Sequence, residues 1–127
     1  MELVYLTILV ALVEYMAFAA LVGRARAKYG IQPPATTGHP DFERVNRVHY
    51  NTLEALIVFI PAVLLFAQHV DPRWAAGLGA VFVIGRAAYA VGYMQAAKKR
   101  GIGAGITGIA NLVLVAGALY GVIRALL

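Results

Sequence analysis

The sequence predicts an all-α integral membrane protein, built as an antiparallel bundle of four transmembrane helices. Of its 127 residues, 61% are hydrophobic and 13% are charged, and the mean hydropathy is +0.75. A soluble domain carries about 25% charged residues and at this size buries only about 60–70% of its chain surface. One spanning helix needs about 20 residues, so the chain has room for four spans with short connections.

Four apolar segments define the spans, and they alternate with segments rich in Gly, Pro and charged residues. The first has no Lys or Arg before Arg24, which favours a retained helix over a cleaved signal peptide. A polar loop is expected over residues 23–41, with the second helix starting near Asp41. A turn is expected over 99–103. The predicted spans, which together form one membrane domain, are 3–22, 42–68, 74–98 and 104–126.

Positive charge is concentrated at one end of the predicted bundle. Eight of the eleven Lys and Arg residues lie at that end and two at the other. The positive-inside rule places the basic end in the cytoplasm and both termini outside, and the short loops favour a bacterial inner membrane. The eight residues are Arg24, Arg26, Lys28, Arg44, Arg47, Lys98, Lys99 and Arg100.

The absence of cysteine means that any sulfur chemistry has to come from a substrate. A net charge of +5 is compatible with nucleic-acid binding. However, the charges flank apolar segments, so a nucleic-acid partner is not expected. His39 and His69 are isolated in loops without the spacing of metal ligands, so no metal site is predicted.

Ionisable side chains inside a membrane span are costly and are therefore candidates for function. The polar residues of helix 2 lie within an arc of about 80°, and those of helix 3 within about 60°. Glu14 and Asn111 share their depth, about 11–17 Å below the cytoplasmic helix ends. One polar cleft, open at the cytoplasmic rim, is expected. The two stripes are Arg44, Arg47, Asn51 and Glu54 on helix 2, and Arg86, Tyr89, Tyr93 and Arg100 on helix 3.

Two interpretations of these side chains remain open. In the first, a structural polar network with a Glu54–Arg86 pair holds the helices together. In the second, arginines that converge with tyrosines form a binding site, and the excess of cations suits an anionic ligand. The first interpretation applies to Glu14, Glu54, Arg86 and Asn111, and the second to Arg47, Tyr89, Tyr93 and Arg100.

Two motifs occur in order at the start of helix 2 and on helix 3. The first is Pro33-Pro34-Ala35-Thr36-Thr37-Gly38 with Phe42-Glu43-Arg44-Val45, then Arg47, Asn51 and Glu54; the second is Gly85-Arg86-Ala87-Ala88-Tyr89-Ala90-Val91-Gly92-Tyr93 with Arg100. Together they resemble the signatures of the MAPEG family, the membrane-associated proteins in eicosanoid and glutathione metabolism. The resemblance covers nearly the whole chain.

The resemblance implies a microsomal glutathione transferase-like homotrimer that binds its co-substrate glutathione between subunits, toward the cytoplasmic side. Arg100 matches an arginine that stabilises the glutathione thiolate, and Tyr89 is a candidate proton donor, so both are predicted to be catalytic. Arg26 matches a residue from the adjacent subunit, and His49 projects about 140° away from Arg44, which fits a site between subunits. The implied glutathione-binding positions are Arg26, Arg47, His49, Asn51, Glu54, Tyr89, Tyr93 and Arg100.

This chain departs from the leukotriene-synthase branch of the family at two positions. Ala27 follows Arg26 where that branch has two adjacent arginines, and Ala55 replaces a tyrosine. A narrow leukotriene synthase is therefore disfavoured.

The predicted function is a membrane-bound glutathione transferase. It would conjugate glutathione to lipophilic electrophiles from the bilayer in detoxification, with reduction of lipid hydroperoxides as a further activity. One alternative is a non-catalytic relative that binds a lipid or a partner. Another is a small multidrug transporter that uses Glu14, although arginines in the cleft would repel a cationic drug.

Overall fold

The computed structural model describes the backbone of residues 1–127 and every side chain except that of Ala97. Each of its four long helices is long and apolar enough to cross a membrane. The predicted all-α fold with four membrane-length helices is therefore confirmed. The helices are α1 (Glu2–Tyr29), α2 (Pro40–His69), α3 (Pro72–Gln95) and α4 (Gly101–Leu126), with a 3-10 turn at Ala97–Arg100.

α1 continues well past its predicted end, so the expected loop over residues 23–41 is wrong in its first part. The segment after Gly23 consists mainly of Arg, Ala and Lys, which are strong helix formers. The helix ends at Gly30, which adopts the left-handed conformation with φ 67° and donates its N–H to the carbonyl of Arg26. Arg26 is therefore positioned by a helix rather than by a loop.

The connection between α3 and α4 also differs from the prediction. Ala96 adopts an extended conformation, so α3 ends at Gln95 instead of residue 98. α4 begins at Gly101, within the segment that was expected to be a turn. Arg100 consequently lies in the 3-10 turn and not on the face of α3 that carries the tyrosines.

α2 and α3 begin in the same way, with a capping side chain followed by proline. The Asp71 carboxylate accepts a hydrogen bond from the Arg73 N–H at 2.7 Å, and the His39 ring accepts one from the Asp41 N–H at 3.1 Å. Proline suits the first helical position because it has no N–H to leave unsatisfied. These caps set where the polar residues of each helix lie along its axis.

The core lies around α2 and α3, each of which packs against both α1 and α4. Phe59 of α2 stacks on Phe82 of α3, with ring centroids 4.0 Å apart and both side chains fully buried. The outer faces expose large apolar side chains such as Met16, Ile57 and Trp74. Such a surface is typical of contact with lipid or with another chain.

Gly103 allows α4 to approach α3 closely. A Cβ at this position would lie 2.2 Å from the backbone nitrogen of Tyr89. This close contact places the backbone of α4 directly against Tyr89, a predicted site residue.

Candidate active site

Arg86 lies at the centre of the polar residues, and its side chain joins three helices. It is 2% exposed. Its guanidinium donates to Asn51 Oδ1 at 2.9 Å and Thr52 Oγ1 at 3.3 Å on α2, and to Thr107 Oγ1 at 3.0 Å on α4. These bonds satisfy Nη1 and Nη2 and help the protein to tolerate a buried charge, whereas the buried Nε has no hydrogen-bond partner among the described residues.

The expected Glu54–Arg86 pair does not form. Glu54 Oε1 instead lies 3.4 Å from Nη1 of Arg47, two helical turns away on the same face of α2. The charge of Glu14 on α1 acts on Arg86, although the buried Oε1 of Glu14 has no hydrogen-bond partner among the described residues. In the predicted network, Glu14 and not Glu54 is therefore the acidic residue that acts on Arg86.

A cavity of about 310 Å³ opens between α2, α3 and α4. Asn111 lies at its wall, where Nδ2 donates to the Ala55 carbonyl at 3.2 Å. Asn111 Oδ1 is buried and has no hydrogen-bond partner among the described residues. Four residues that the sequence predicted to meet in one cleft do line this cavity together: Asn51, Glu54, Arg86 and Asn111.

Tyr89 is buried beside this cavity, with only 2% of its surface exposed. Its ring lies 5.6 Å from that of Tyr93 and 4.2 Å from the guanidinium of Arg86. The charges of Arg47 and Arg100 also act on its phenol. One cation thus lies directly against this tyrosine and two others act on it from a distance, an arrangement that favours negative charge in this region.

Arg100 lies near the tyrosines of the site, but it is not placed there by the helical spacing on α3. Because α3 ends at Gln95, the expected continuous stripe through Arg100 is wrong. The 3-10 turn nevertheless places the Arg100 guanidinium 5.7 Å from the centroid of the Tyr93 ring. Arg100 is exposed, so its charge lies at the rim of the site.

Two predicted binding residues, Arg26 and His49, have no described contact with Arg86 or Tyr89. Arg26 donates to the Ala35 carbonyl at 2.8 Å and covers the ring of Phe42. His49 stacks on Tyr15 of α1, with ring centroids 4.6 Å apart. Both residues therefore lie away from the described contacts of Arg86 and Tyr89.

Thr52 and Thr107 were missed from the sequence, although both bond to Arg86. Thr107 lies one turn before Asn111 in an otherwise apolar helix. Polar residues four apart share a helix face, so this spacing was a usable signal. Thr52 gave a weaker signal, because it lies next to Asn51 and outside the helical spacing of the polar stripe on α2.

The fold and the site define a protein of four membrane-length helices with a polar cavity lined by Asn51, Glu54, Arg86 and Asn111. The model of the MAPEG family matches residues 3–120. The chain therefore belongs to the MAPEG family, as the two motifs predicted.

Relatives of this chain include proteins with and without an assigned activity. An uncharacterized protein of Synechocystis is 51% identical over 124 residues, or 96% of this chain and 90% of that protein. Microsomal glutathione S-transferase 2 of Homo sapiens is 43% identical over 103 residues, or 80% of this chain and 70% of that protein. Leukotriene C4 synthase of Cavia porcellus is 35% identical over 83 residues, or 65% of this chain and 55% of that protein.

Proposed function

We propose that the protein is a membrane-bound glutathione transferase that conjugates glutathione to lipophilic electrophiles. The main observation is that three arginines lie at one group of polar residues: Arg86 against the ring of Tyr89, Arg100 near the ring of Tyr93, and Arg47 in contact with Glu54 of the cavity wall. It occurs in a chain that is 43% identical to human microsomal glutathione S-transferase 2 over 80% of its length. The family membership disfavours a multidrug transporter, as does the interaction of Glu14 with a buried arginine.

The charges of the site suit glutathione, which has two carboxylates, one ammonium and a thiol. Arg47 can bind a carboxylate, and Glu54 can bind the ammonium. Both side chains are more than half exposed, so their mutual contact at 3.4 Å leaves each available to a ligand. Asn51 adds a polar group at the wall of the cavity, and Tyr93 adds a second phenol next to Tyr89.

The proposed chemistry begins with ionisation of the thiol, because the thiolate is the nucleophilic form. Arg100 stabilises the developing negative charge on sulfur. The sulfur then forms a bond to an electrophilic carbon of the second substrate, and the leaving group departs with the electron pair of its bond. Tyr89 is proposed to supply a proton when that leaving group is an oxygen.

We further propose a homotrimer in which Arg26 and His49 complete the site of a neighbouring subunit. This accounts for their position away from the Arg86–Tyr89 group. The exposed apolar side chains of the outer helix faces supply surface for such contacts. We propose a bacterial inner membrane with the site toward the cytoplasm, because eight of eleven basic residues lie at that end.

The test is an assay of the purified protein in detergent or nanodiscs with glutathione and a chloronitrobenzene. Formation of the thioether above the rate without protein is the expected result. A parallel assay with a lipid hydroperoxide measures the peroxidase activity. If neither product forms above background, the enzyme proposal fails, and a non-catalytic binding protein is the better description.

A further inference from the structure

The guanidinium of Arg86 is fixed in place by groups on both of its sides. Nη1 lies 3.3 Å from the hydroxyl of Thr52, and Nη2 lies 3.0 Å from the hydroxyl of Thr107. One face of the guanidinium covers the ring of Tyr89, with Cζ 4.2 Å from the ring centroid. With 2% of its surface exposed, the side chain has no room to adopt another rotamer without losing these contacts.

Asn51 meets this fixed group through its carbonyl oxygen, which accepts from Nη1 at 2.9 Å. A guanidinium has hydrogen-bond donors only, whereas an amide has an oxygen acceptor and an NH₂ donor. Arg86 can therefore bond only to the oxygen of the Asn51 amide. The NH₂ group of Asn51 then points away from Arg86.

We propose that Arg86 is a positioning residue that holds the Asn51 amide with its N–H donors toward glutathione. The inference rests on the proposed function, since it concerns binding of that substrate. Asn51 lines the cavity of about 310 Å³ together with Glu54. The orientation set by Arg86 thus places a fixed donor in the same wall as the Glu54 carboxylate.

The Asn51→Asp variant tests this orientation directly. The aspartate has the same shape and keeps an oxygen for Arg86, but it has no N–H to donate. We expect an unchanged or higher Tm in detergent and a KM for glutathione raised about 10- to 100-fold, because a ligand acceptor loses its donor. A wild-type KM in this variant would mean that Asn51 is only a structural partner of Arg86, and would overturn the proposal.

A double-mutant cycle separates positioning from general support of the fold. Arg86→Met should raise the KM for glutathione in the wild-type background, but have little further effect on KM when Asn51 is already alanine. Additive effects on KM would contradict the proposal. If Arg86→Met does not fold, the Asn51→Asp result decides alone.

The wild-type assay distinguishes failure of this inference from failure of the proposed function. An inactive wild-type protein overturns the proposed function and the inference with it. An active wild-type protein whose Asn51→Asp variant keeps the same KM overturns the inference alone.

Discussion

Glu14 and Glu54, the two acidic side chains near the middle of their helices, have different partners, which separates their roles. Glu14 interacts with the buried Arg86, whereas Glu54 faces Arg47 at the exposed edge of the cleft. Glu14 thus acts on the buried cation from α1 without a hydrogen bond from its Oε1 to any described residue, and Glu54 remains available to a ligand. The sequence predicted a similar depth for both carboxylates but did not predict their partners. Helical spacing gives the angle between residues on one helix and not the rotation of that helix against its neighbours.

Replacing Glu54 or Glu14 by glutamine tests whether the first binds glutathione and the second stabilises the fold. Glu54→Gln should raise the KM for glutathione about tenfold, because the ammonium of glutathione loses the carboxylate proposed to bind it. The Tm should not change, because the Glu54 side chain is exposed. Glu14→Gln should lower the free energy of unfolding by about 1 kcal/mol, because Arg86 loses a carboxylate that acts on it from a neighbouring helix. Steady-state kinetics and thermal melts of both variants provide the measurements. A reversed pattern would contradict the assignment.

Arg100 is expected to act on turnover more than on binding. Arg100→Ala removes the cation proposed to stabilise the thiolate, so kcat should fall about 100-fold while the Kd for glutathione changes much less. The thiolate absorbance of bound glutathione should decrease with it. Lys98→Ala is the matched control, since Lys98 is an exposed cation in the same 3-10 turn. Unchanged turnover in Arg100→Ala would remove Arg100 from the mechanism.

The four helices themselves could be predicted from sequence because length and apolarity are local properties. Their ends could not be predicted equally well. α1 continues through Arg26 and Lys28 since these are helix formers with no breaker before Gly30. α3 ends at Gln95, although nothing in the local sequence resembles a stop signal. Arg100 therefore reaches Tyr93 through a tertiary arrangement that periodicity does not encode.

The close contact between α3 and α4 is predicted to require glycine, which has no side chain, at position 103. In Gly103→Ala the new Cβ would meet the backbone of Tyr89, so α4 must shift, and the cost is about 1–3 kcal/mol of stability. Gly105→Ala on the same helix is the control, because no atom lies within 4 Å of its Cβ position. Thermal melts and turnover of both variants are compared. Equal stability of the two variants would contradict this packing.

The orientation of the whole molecule can be tested because the native chain contains no cysteine. Gln32→Cys and Val70→Cys place single thiols at exposed positions toward opposite ends of the bundle without changing the charge bias. If the basic end is cytoplasmic, a membrane-impermeant maleimide added to intact cells whose outer membrane is permeabilised should label only Val70→Cys. Gln32→Cys should react only after lysis. The opposite pattern would place the site outside.

Sharing of the site between subunits predicts complementation between two inactive variants. Arg26→Ala retains Arg100, and Arg100→Ala retains Arg26, so neither homotrimer contains a complete site. When the two chains are co-expressed and assemble at random, three quarters of the trimers are mixed. Each mixed ring has one intact interface of three, so activity should return to about one quarter of the wild-type level. If Arg26 and Arg100 instead served the same site from one chain, co-expression would give only the average of the two residual activities. Cross-linking of the wild-type protein supplies the independent check, and a ladder that stops at dimers would contradict the trimer.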